Sequence, residues 1–94
     1  MYKLHLIGCN NITDIGMKHI KNLEVLFLIR NNKITNDGLK HLKNIHSLSI
    51  NNCKLINDKL FNSSSKLKYL TITGNNFNNI GHLTNLETLH IYNN

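Results

Sequence analysis

Residues 23–34 have the sequence LEVLFLIRNNKI, and this stretch decides the fold. Leu26 and Leu28 alternate with Phe27 and Ile29, so the two pairs of side chains point to opposite faces of an extended segment. Such an alternation, bounded by the asparagines that follow it, predicts a short strand. One face of the strand would enter a core, and the other would remain available.

The same pattern returns every 22 residues along the chain. IHSLSINNCKLI begins at Ile45, LKYLTITGNNFN at Leu67 and MYKLHLIGCNNI at Met1, while LETLHIYNN closes the chain after a repeat shortened to 19 residues. Three columns of equivalent positions result: Leu4, Leu26, Leu48, Leu70 and Leu89; Leu6, Leu28, Ile50, Ile72 and Ile91; and Cys9, Asn31, Cys53, Asn75 and Asn94. A fixed period predicts a stack of similar units whose strands form one parallel sheet.

The residues between the strands must return the chain to the start of the next strand. The stretches MKHI, LKHL and KLF carry apolar residues at helical spacing, which predicts short helices that cover the core. Phe77, Ile80 and Leu83 recur every three residues in the fourth return segment, and this spacing predicts a 3₁₀ turn. Two pairs of residues are candidate helix N-caps: Thr13 or Asp14, and Asn36 or Asp37.

The five units resemble the leucine-rich-repeat pattern LxxLxLxx(N or C), with Met1 and Ile45 in place of Leu. ITDIGMKHIKNL and ITNDGLKHLKNI resemble the cysteine-containing subtype of F-box ubiquitin ligases, and NNFNNIGHLTNLETLHIYNN resembles the shorter internalin-type unit. The resemblance implies an α/β leucine-rich-repeat solenoid, a horseshoe arc with a short-stranded parallel sheet on its concave face and short helices or 3₁₀ turns on its convex face. We expect one domain over residues 1–94, with about four and a half repeats, as a fragment or an uncapped solenoid.

Charge and cysteine spacing limit the cellular context. Eleven basic residues against five acidic ones give a net charge of +6, without a run of consecutive basic residues. No stretch approaches the ~20 apolar residues of a membrane span or forms the apolar core of a signal peptide. Cys9 and Cys53 are two repeats apart, roughly 9 to 10 Å at ~4.8 Å per strand, whereas a disulfide needs Cα atoms within ~7 Å. We therefore predict two free, buried thiols and a reducing, cytoplasmic location.

Residues suited to catalysis are not grouped in the sequence. It has no evident pair of nucleophile and base, no glycine-rich phosphate loop and no paired carboxylates on one inferred surface. His19 and His41 occupy equivalent positions of successive repeats, but a metal site needs three or four converging ligands. We expect no enzymatic activity, no catalytic residues, no metal and no cofactor.

The side chains that alternate with the core columns form the predicted concave face, where the resemblance implies ligand contacts. Apolar residues cluster on its first two strands beside an arginine, a composition typical of protein interfaces. The predicted partner-binding residues are Ile7, Val25, Phe27, Ile29, Arg30, Tyr69 and Tyr92. The sequence thus favours a protein-interaction module with a protein partner, although ordinary surface hydrophobics would give the same pattern.

Three other functions stay open. The cysteine-containing type of unit would suit the substrate-recognition arm of a ubiquitin ligase complex, and uncapped ends would suit end-to-end self-assembly. Nucleic-acid binding is less favoured, because the concave face offers few aromatic side chains for base stacking.

Overall fold

The structure, a computed structural model, describes residues 2–8, 11–61, 66–75, 77, 80, 83 and 85–92. Within these ranges the chain forms five strands: β1 (Lys3–Ile7), β2 (Val25–Ile29), β3 (Ser47–Asn51), β4 (Tyr69–Thr73) and β5 (Thr88–Tyr92). The segments between them contain two α-helical turns, α1 (Asp14–Met17) and α2 (Asn36–Leu39), and two 3₁₀ turns, Lys18–Ile20 and Asp58–Phe61. The fold is therefore α/β, and the strands and short return helices predicted from the sequence are confirmed.

The strands form one parallel sheet in the order β1-β2-β3-β4-β5. Leu26 on β2 lies beside Leu48 on β3, and Leu48 lies beside Leu70 on β4. Leu70 in turn pairs with Leu89 on β5, so the shorter fourth repeat keeps the register. The in-phase stacking of the leucine columns is confirmed. Since parallel neighbours cannot be joined by a tight hairpin, each pair of strands needs the return segment between them.

The core lies between one face of the sheet and the return segments. Leu26 and Leu28 are 0% exposed, as the alternation predicts. The return segments add Met17, Leu39 and Phe61 to the same buried cluster. Truncating a large aliphatic side chain in such a core costs about 2 to 5 kcal/mol, so these contacts dominate the stability of the sheet.

A left-handed residue follows each of the first four strands. The φ angles are 62° at Gly8, 55° at Arg30, 52° at Asn52 and 73° at Gly74. At this position the backbone N–H still donates to the neighbouring strand, as from Gly8 to the carbonyl of Ile29 at 2.8 Å. Glycine and asparagine adopt this conformation readily, and Arg30 is therefore the member of the column held there at the greatest cost.

The next position along the chain is buried and satisfies the backbone of the turn. Asn31 and Asn75 are 0% and 8% exposed. The Asn31 side-chain oxygen accepts hydrogen bonds from the N–H groups of Lys33 and Ile34 at 2.9 and 2.8 Å. The inward asparagines thus supply the hydrogen bonds that a sharply turning buried backbone needs.

Cys53 occupies the same column between these asparagines. It is a free thiol with 0% exposure, which confirms the prediction for this residue. Its Sγ atom lies 3.5 Å from the carbonyl oxygen of Asn51, as a weak donor. Cys9 and Asn94, the first and last members of the column, lie outside the described residues.

The first return helix is tied to the second through an acidic side chain. α1 begins at Asp14 after Thr13, the predicted N-cap position, although Thr13 makes no side-chain capping bond. The Asp14 carboxylate accepts hydrogen bonds from the backbone N–H of Thr35 at 2.8 Å and from its hydroxyl at 2.5 Å. Successive return segments are therefore joined by a charge-assisted contact.

The N-cap predicted for α2 is wrong by one residue. The cap is Thr35, whose hydroxyl accepts a hydrogen bond from the N–H of Asp37 at 3.2 Å. Asn36 instead faces the following repeat, where its amide donates to the Asn57 side chain at 2.8 Å and accepts the Asn57 N–H at 3.1 Å. A contact between repeats thus decides the role of Asn36.

The fourth return segment is described only in part. The N–H of Leu83 donates to the carbonyl of Ile80 at 3.1 Å, and the N–H of Leu86 donates to Leu83 at 3.3 Å. Bonds that span three residues are of the 3₁₀ type, in agreement with the predicted turn. Residues 78, 79, 81 and 82 lie outside the described ranges.

Candidate functional site

The open face of the sheet is the face opposite the core. Because the return segments pack on the other face, the side chains that alternate with the buried columns are directed away from the core cluster. From β1 to β5 these are Lys3, His5 and Ile7; Val25, Phe27 and Ile29; Ser47, Ser49 and Asn51; Tyr69, Thr71 and Thr73; and Thr88, His90 and Tyr92. The composition and the exposure of these side chains change from β1 to β5.

The first two strands carry what we call the β1–β2 patch, which consists of Lys3, His5, Ile7, Phe27, Ile29 and Arg30. Ile7 is its most accessible apolar member, with 64% of its surface exposed. It pairs in register with Ile29, which is half-buried. An exposed aliphatic side chain beside a half-buried one forms the kind of surface that a partner buries with a gain in free energy.

Phe27 is half-buried because two neighbouring side chains from β1 cover its ring. The His5 ring stacks on it with centroids 4.4 Å apart and an interplanar angle of 21°. The Lys3 ammonium lies 5.8 Å from the Phe27 centroid, within the range of a cation–π contact. The aromatic centre of the patch is therefore held under two side chains that carry or can acquire positive charge.

Val25 differs from the other apolar residues of the first two strands. It lies on the open face, between Lys3 on β1 and Ser47 on β3, but only 6% of its surface is exposed. Val25 consequently does not offer the exposed apolar surface that the sequence predicts. The alternation within β2 does not reveal this burial.

Arg30 directly follows β2, at the end of the strand that carries Phe27 and Ile29. It is exposed and has the positive φ noted above, and its N–H donates to the carbonyl of Asn51 on the neighbouring strand at 2.8 Å. The backbone of Arg30 is thus fixed while its side chain stays accessible. This position places a cation just beyond the apolar side chains of β2.

The middle of the open face is polar and half-buried. Ser49 on β3 lies beside Phe27 on one side and Thr71 on the other. Ile29 is likewise followed across the sheet by Asn51 and not by another apolar residue. The apolar surface therefore ends at β2.

The two predicted tyrosines lie beyond this polar middle. Tyr69 on β4 is 44% exposed and Tyr92 on β5 is 53% exposed. They are two and three strands from β2, or roughly 10 and 14 Å at ~4.8 Å per strand. The structure thus divides the predicted site residues into the β1–β2 patch and a separate tyrosine end.

Local contacts fix the tyrosine end. A hydrogen bond to the Glu87 carboxylate, together with its negative charge, raises the pKa of Tyr69. The hydroxyl of Tyr92 lies 3.3 Å from Nδ1 of His90, and the two rings meet edge to face at 6.0 Å. Both hydroxyl groups are therefore engaged with neighbours in the chain itself.

Lys3 and His5 belong to the patch although the sequence prediction leaves them out. Both alternate with Leu4 and Leu6, so their place on the open face follows from the period of the strand. Their contact with Phe27 depends on the pairing of β1 with β2, which places His5 directly beside Phe27. The register between β1 and β2 is the feature from which the contact of Lys3 and His5 with Phe27 could have been predicted.

A polar hollow lies where the chain enters the strands. Its volume is about 520 Å³, and its lining includes Tyr2, Glu24, His46 and Lys68, which precede successive strands. His46 Nε2 lies 3.8 Å from the Glu24 carboxylate, and the buried His46 Nδ1 has no hydrogen-bond partner among the described residues. The lining also includes Lys66, so two lysines and a histidine surround the single carboxylate of Glu24, and the hollow offers little apolar surface for a partner.

A second hollow, of about 480 Å³, lies on the side of the return segments. Leu42, Leu60 and Phe61 line it, with Lys40 and Lys43 among the polar lining residues. These apolar side chains are at most 9% exposed and belong to the core cluster. The hollow therefore lies at the edge of the core, and its lining exposes little apolar surface to a partner.

Metal sites and membrane-spanning helices are two further features to consider in the part of the chain that the structure describes. No three His, Cys, Asp or Glu side chains there lie close enough to hold a metal ion. None of the helices in those ranges is long and apolar enough to cross a bilayer. His19 and His41, the column considered as metal ligands, lie on the return side of the sheet.

Comparison of the chain with protein-family profiles, with curated proteins and with solved structures finds no match. The evidence for a functional surface therefore comes from the exposed side chains of the open face and their chemistry. Ile7 and Ile29 give that face an apolar centre, and Lys3, His5 and Arg30 give it a basic margin.

Proposed function

We propose that the chain is a protein-interaction module that binds its partner on the open face of the sheet, at the β1–β2 patch. The observation that carries this proposal is the 64% exposure of Ile7 beside Ile29, on a face that the return segments leave uncovered. Burying an exposed aliphatic side chain contributes on the order of 1.5 to 3 kcal/mol. A patch of this kind can act as the centre of an interface, surrounded by polar residues.

We further propose that the units are coils of a leucine-rich-repeat solenoid, with the open face on its concave side. The continuous register from β1 to β5 and the left-handed residue after each of the first four strands support this arrangement. A concave sheet would bring side chains of neighbouring strands towards one ligand, so the patch and the tyrosine end would contact different parts of the same partner.

The proposal is tested by removing the apolar centre without disturbing the core. The chain is immobilised and used to capture partners from an extract, and the wild type is compared with Phe27→Ala/Ile29→Ala. We expect capture to be lost while the circular dichroism spectrum stays unchanged. The matched control is Ser49→Ala/Thr71→Ala, two substitutions on the polar middle of the same face, which should leave capture intact.

The result that would overturn the proposal is capture that survives the Phe27→Ala/Ile29→Ala change in a folded chain. Loss of capture by the Ser49→Ala/Thr71→Ala control alone would move the interface to the middle of the sheet. If the first variant unfolds, Ile7→Asp provides a second test, because Ile7 is already exposed and its side chain contributes little to the core.

End-to-end association is a second candidate, favoured by the surface of β5. Leu89 and Ile91 are 42% and 43% exposed, although their column neighbours on β4, Leu70 and Ile72, are 1% and 0% exposed. β1 and β5 are the two edges of a parallel sheet. The β1 strand of a second copy could therefore pair with β5 and cover both side chains.

Sedimentation of the chain over a concentration series tests this candidate. Association that increases with concentration and disappears in Leu89→Lys/Ile91→Lys would support it. A monomer at every concentration would refute it, and would leave the proposal for the open face unaffected because Leu89 and Ile91 are not part of the β1–β2 patch.

A further inference from the structure

The β1–β2 patch is basic around its apolar centre. The Lys3 ammonium and the His5 ring both lie against Phe27, and the exposed Arg30 comes three residues after Phe27, directly beyond the end of β2. At ~3.3 Å per residue, Phe27 and Arg30 are roughly 10 Å apart along β2. Basic residues therefore lie at the start of β1 and just beyond the end of β2, on either side of Ile7 and Ile29 along the strands.

The acidic residues of the chain are all placed elsewhere. Asp14, Asp37 and Asp58 lie in the return helices, Glu24 lies opposite His46 at the entry to the strands, and Glu87 bonds Tyr69 at the far end of the sheet. The carboxylates thus lie outside the patch. The patch itself carries a surplus of positive charge. A partner that fits this surface supplies the opposite charge.

Building on the proposed function, we infer that the patch recognises an acidic peptide segment: an apolar side chain held against Ile7 and Ile29, with carboxylates on both sides of it. One carboxylate would meet Lys3 and His5, and the other would meet Arg30. In an extended peptide, side chains i, i+2 and i+4 face the same side, and the outer two are about 13 Å apart, so they can reach beyond the two ends of the apolar surface. The polar residues of β3 would then border the bound segment.

The chemistry of the patch favours a peptide over a nucleic acid. Base stacking needs an open aromatic face, whereas the Phe27 ring is covered by His5 and by the Lys3 ammonium. Ile7 and Ile29 instead offer aliphatic surface, which is complementary to an aliphatic or aromatic side chain. Phosphate groups alone would leave this apolar surface unused.

The test is a selection of random linear peptides on the full chain. Peptides that bind the wild type are sequenced and their Kd values are measured for three variants. These are Phe27→Ala/Ile29→Ala, Lys3→Gln/Arg30→Asn and the charge-matched control Lys18→Gln/Lys40→Gln on the return side. Asn is chosen at position 30 because Asn52 already occupies the equivalent left-handed position.

We expect the selected peptides to carry Asp or Glu on both sides of an apolar residue. Their affinity should fall about tenfold in Lys3→Gln/Arg30→Asn, on the order of 1.4 kcal/mol for two exposed charge pairs. The control pair should change affinity less than about twofold, and added salt should weaken binding to the wild type. Circular dichroism and urea midpoints confirm that each variant is folded.

Two outcomes separate this inference from the proposed function. Peptides that need Phe27 and Ile29 but show no acidic enrichment would overturn the inference and leave protein binding at the patch standing. Peptides indifferent to both patch variants would overturn the proposed function as well. If a labelled oligonucleotide competes with the peptides and its binding depends on Lys3 and Arg30, the inferred ligand of the patch becomes a nucleic acid and not an acidic peptide.

Discussion

Asn75 holds the backbone of Cys53, one repeat earlier, with both ends of its side-chain amide. Its Oδ1 accepts the Cys53 N–H at 3.1 Å, and its Nδ2 donates to the Cys53 carbonyl at 2.7 Å. The same Nδ2 also donates to the carbonyl of Ile56 at 3.0 Å. One buried side chain therefore satisfies three backbone groups of the preceding turn, where an apolar residue would satisfy none.

Replacing Asn75 with Ala should destabilise the fold without changing its surface. Because each orphaned buried polar group costs about 1 to 3 kcal/mol, we expect the free energy of unfolding to fall by about 2 to 4 kcal/mol after some of these groups gain water. Urea denaturation measures the loss. The control is the exposed Asn44, whose replacement by Ala should cost less than about 0.5 kcal/mol; equal losses at the two positions would contradict the role given to Asn75.

The repeat period was enough to predict the strands, their order and the core columns on β2, β3 and β4, because each depends on positions that recur along one chain. On β5 the prediction of buried columns is wrong, since Leu89 and Ile91 are 42% and 43% exposed. The period also indicated which side chains share the open face.

Contacts between repeats were less accessible to prediction. Asn36 bonds Asn57 in the next repeat while Thr35 caps α2. Val25 is buried although it lies on the open face.

Two glycines at equivalent positions of successive repeats should respond differently to the same substitution. A Cβ atom added at Gly16 would lie 3.8 Å from Ile12, an ordinary contact, whereas one at Gly38 would overlap the Asp14 carboxylate and lie 3.1 Å from the Asp14 Cα. Gly16→Ala should raise the free energy of unfolding by about 0.5 to 1 kcal/mol, since alanine favours the helix. Gly38→Ala should lower it by about 1 to 3 kcal/mol through overpacking.

Thermal or urea unfolding of the two variants checks this contrast. Asp14→Ala/Gly38→Ala should recover part of the additional loss when it is compared with Asp14→Ala alone, because the overlapping carboxylate is gone. If Gly38→Ala proved as stable as Gly16→Ala, the close approach of Asp14 to α2 would be refuted.

Cys53 should make the stability of the chain depend on alkaline pH. Burial raises the pKa of the Cys53 thiol, and hydrogen bonds with neighbouring backbone groups oppose this only in part. The unfolded thiol loses its proton near pH ~8.5, so the unfolded state binds fewer protons than the folded state above that pH. The stabilising effect of the protonated thiol is therefore present below that pH and is lost as pH rises towards the folded pKa.

The comparison uses Cys9→Ser and Cys9→Ser/Cys53→Ala, so that Cys53 is the single thiol that differs. Their free energies of unfolding are measured in urea at about pH 7 and about pH 9.5, on either side of the unfolded thiol's pKa. The chain that keeps Cys53 should lose stability relative to the alanine variant as pH rises. A constant difference between the two chains would show that the Cys53 thiol is not buried in solution.

At the tyrosine end of the open face, the candidate site includes one group that no strand pattern could identify. Glu87 precedes β5, and its effect on Tyr69 arises from the pairing of β4 with β5 across a repeat of altered length. The apolar character of Ile7 and Ile29 was evident from sequence alone. Their basic surroundings became apparent only once Lys3 and His5 were seen against Phe27.

Glu87→Gln should lower the pKa of Tyr69 towards the value of an ordinary tyrosine. The Glu87 carboxylate raises that pKa first through its hydrogen bond with the hydroxyl and second through its charge, and glutamine removes the charge. Tyr2→Phe/Tyr92→Phe leaves Tyr69 as the single tyrosine, so its titration is followed by the absorbance of tyrosinate. In this background Glu87→Gln should move the midpoint to lower pH, and Glu24→Gln, at the strand entry near Tyr2, should not. An unchanged midpoint in Glu87→Gln would mean that β5 does not hold Glu87 against Tyr69 in solution.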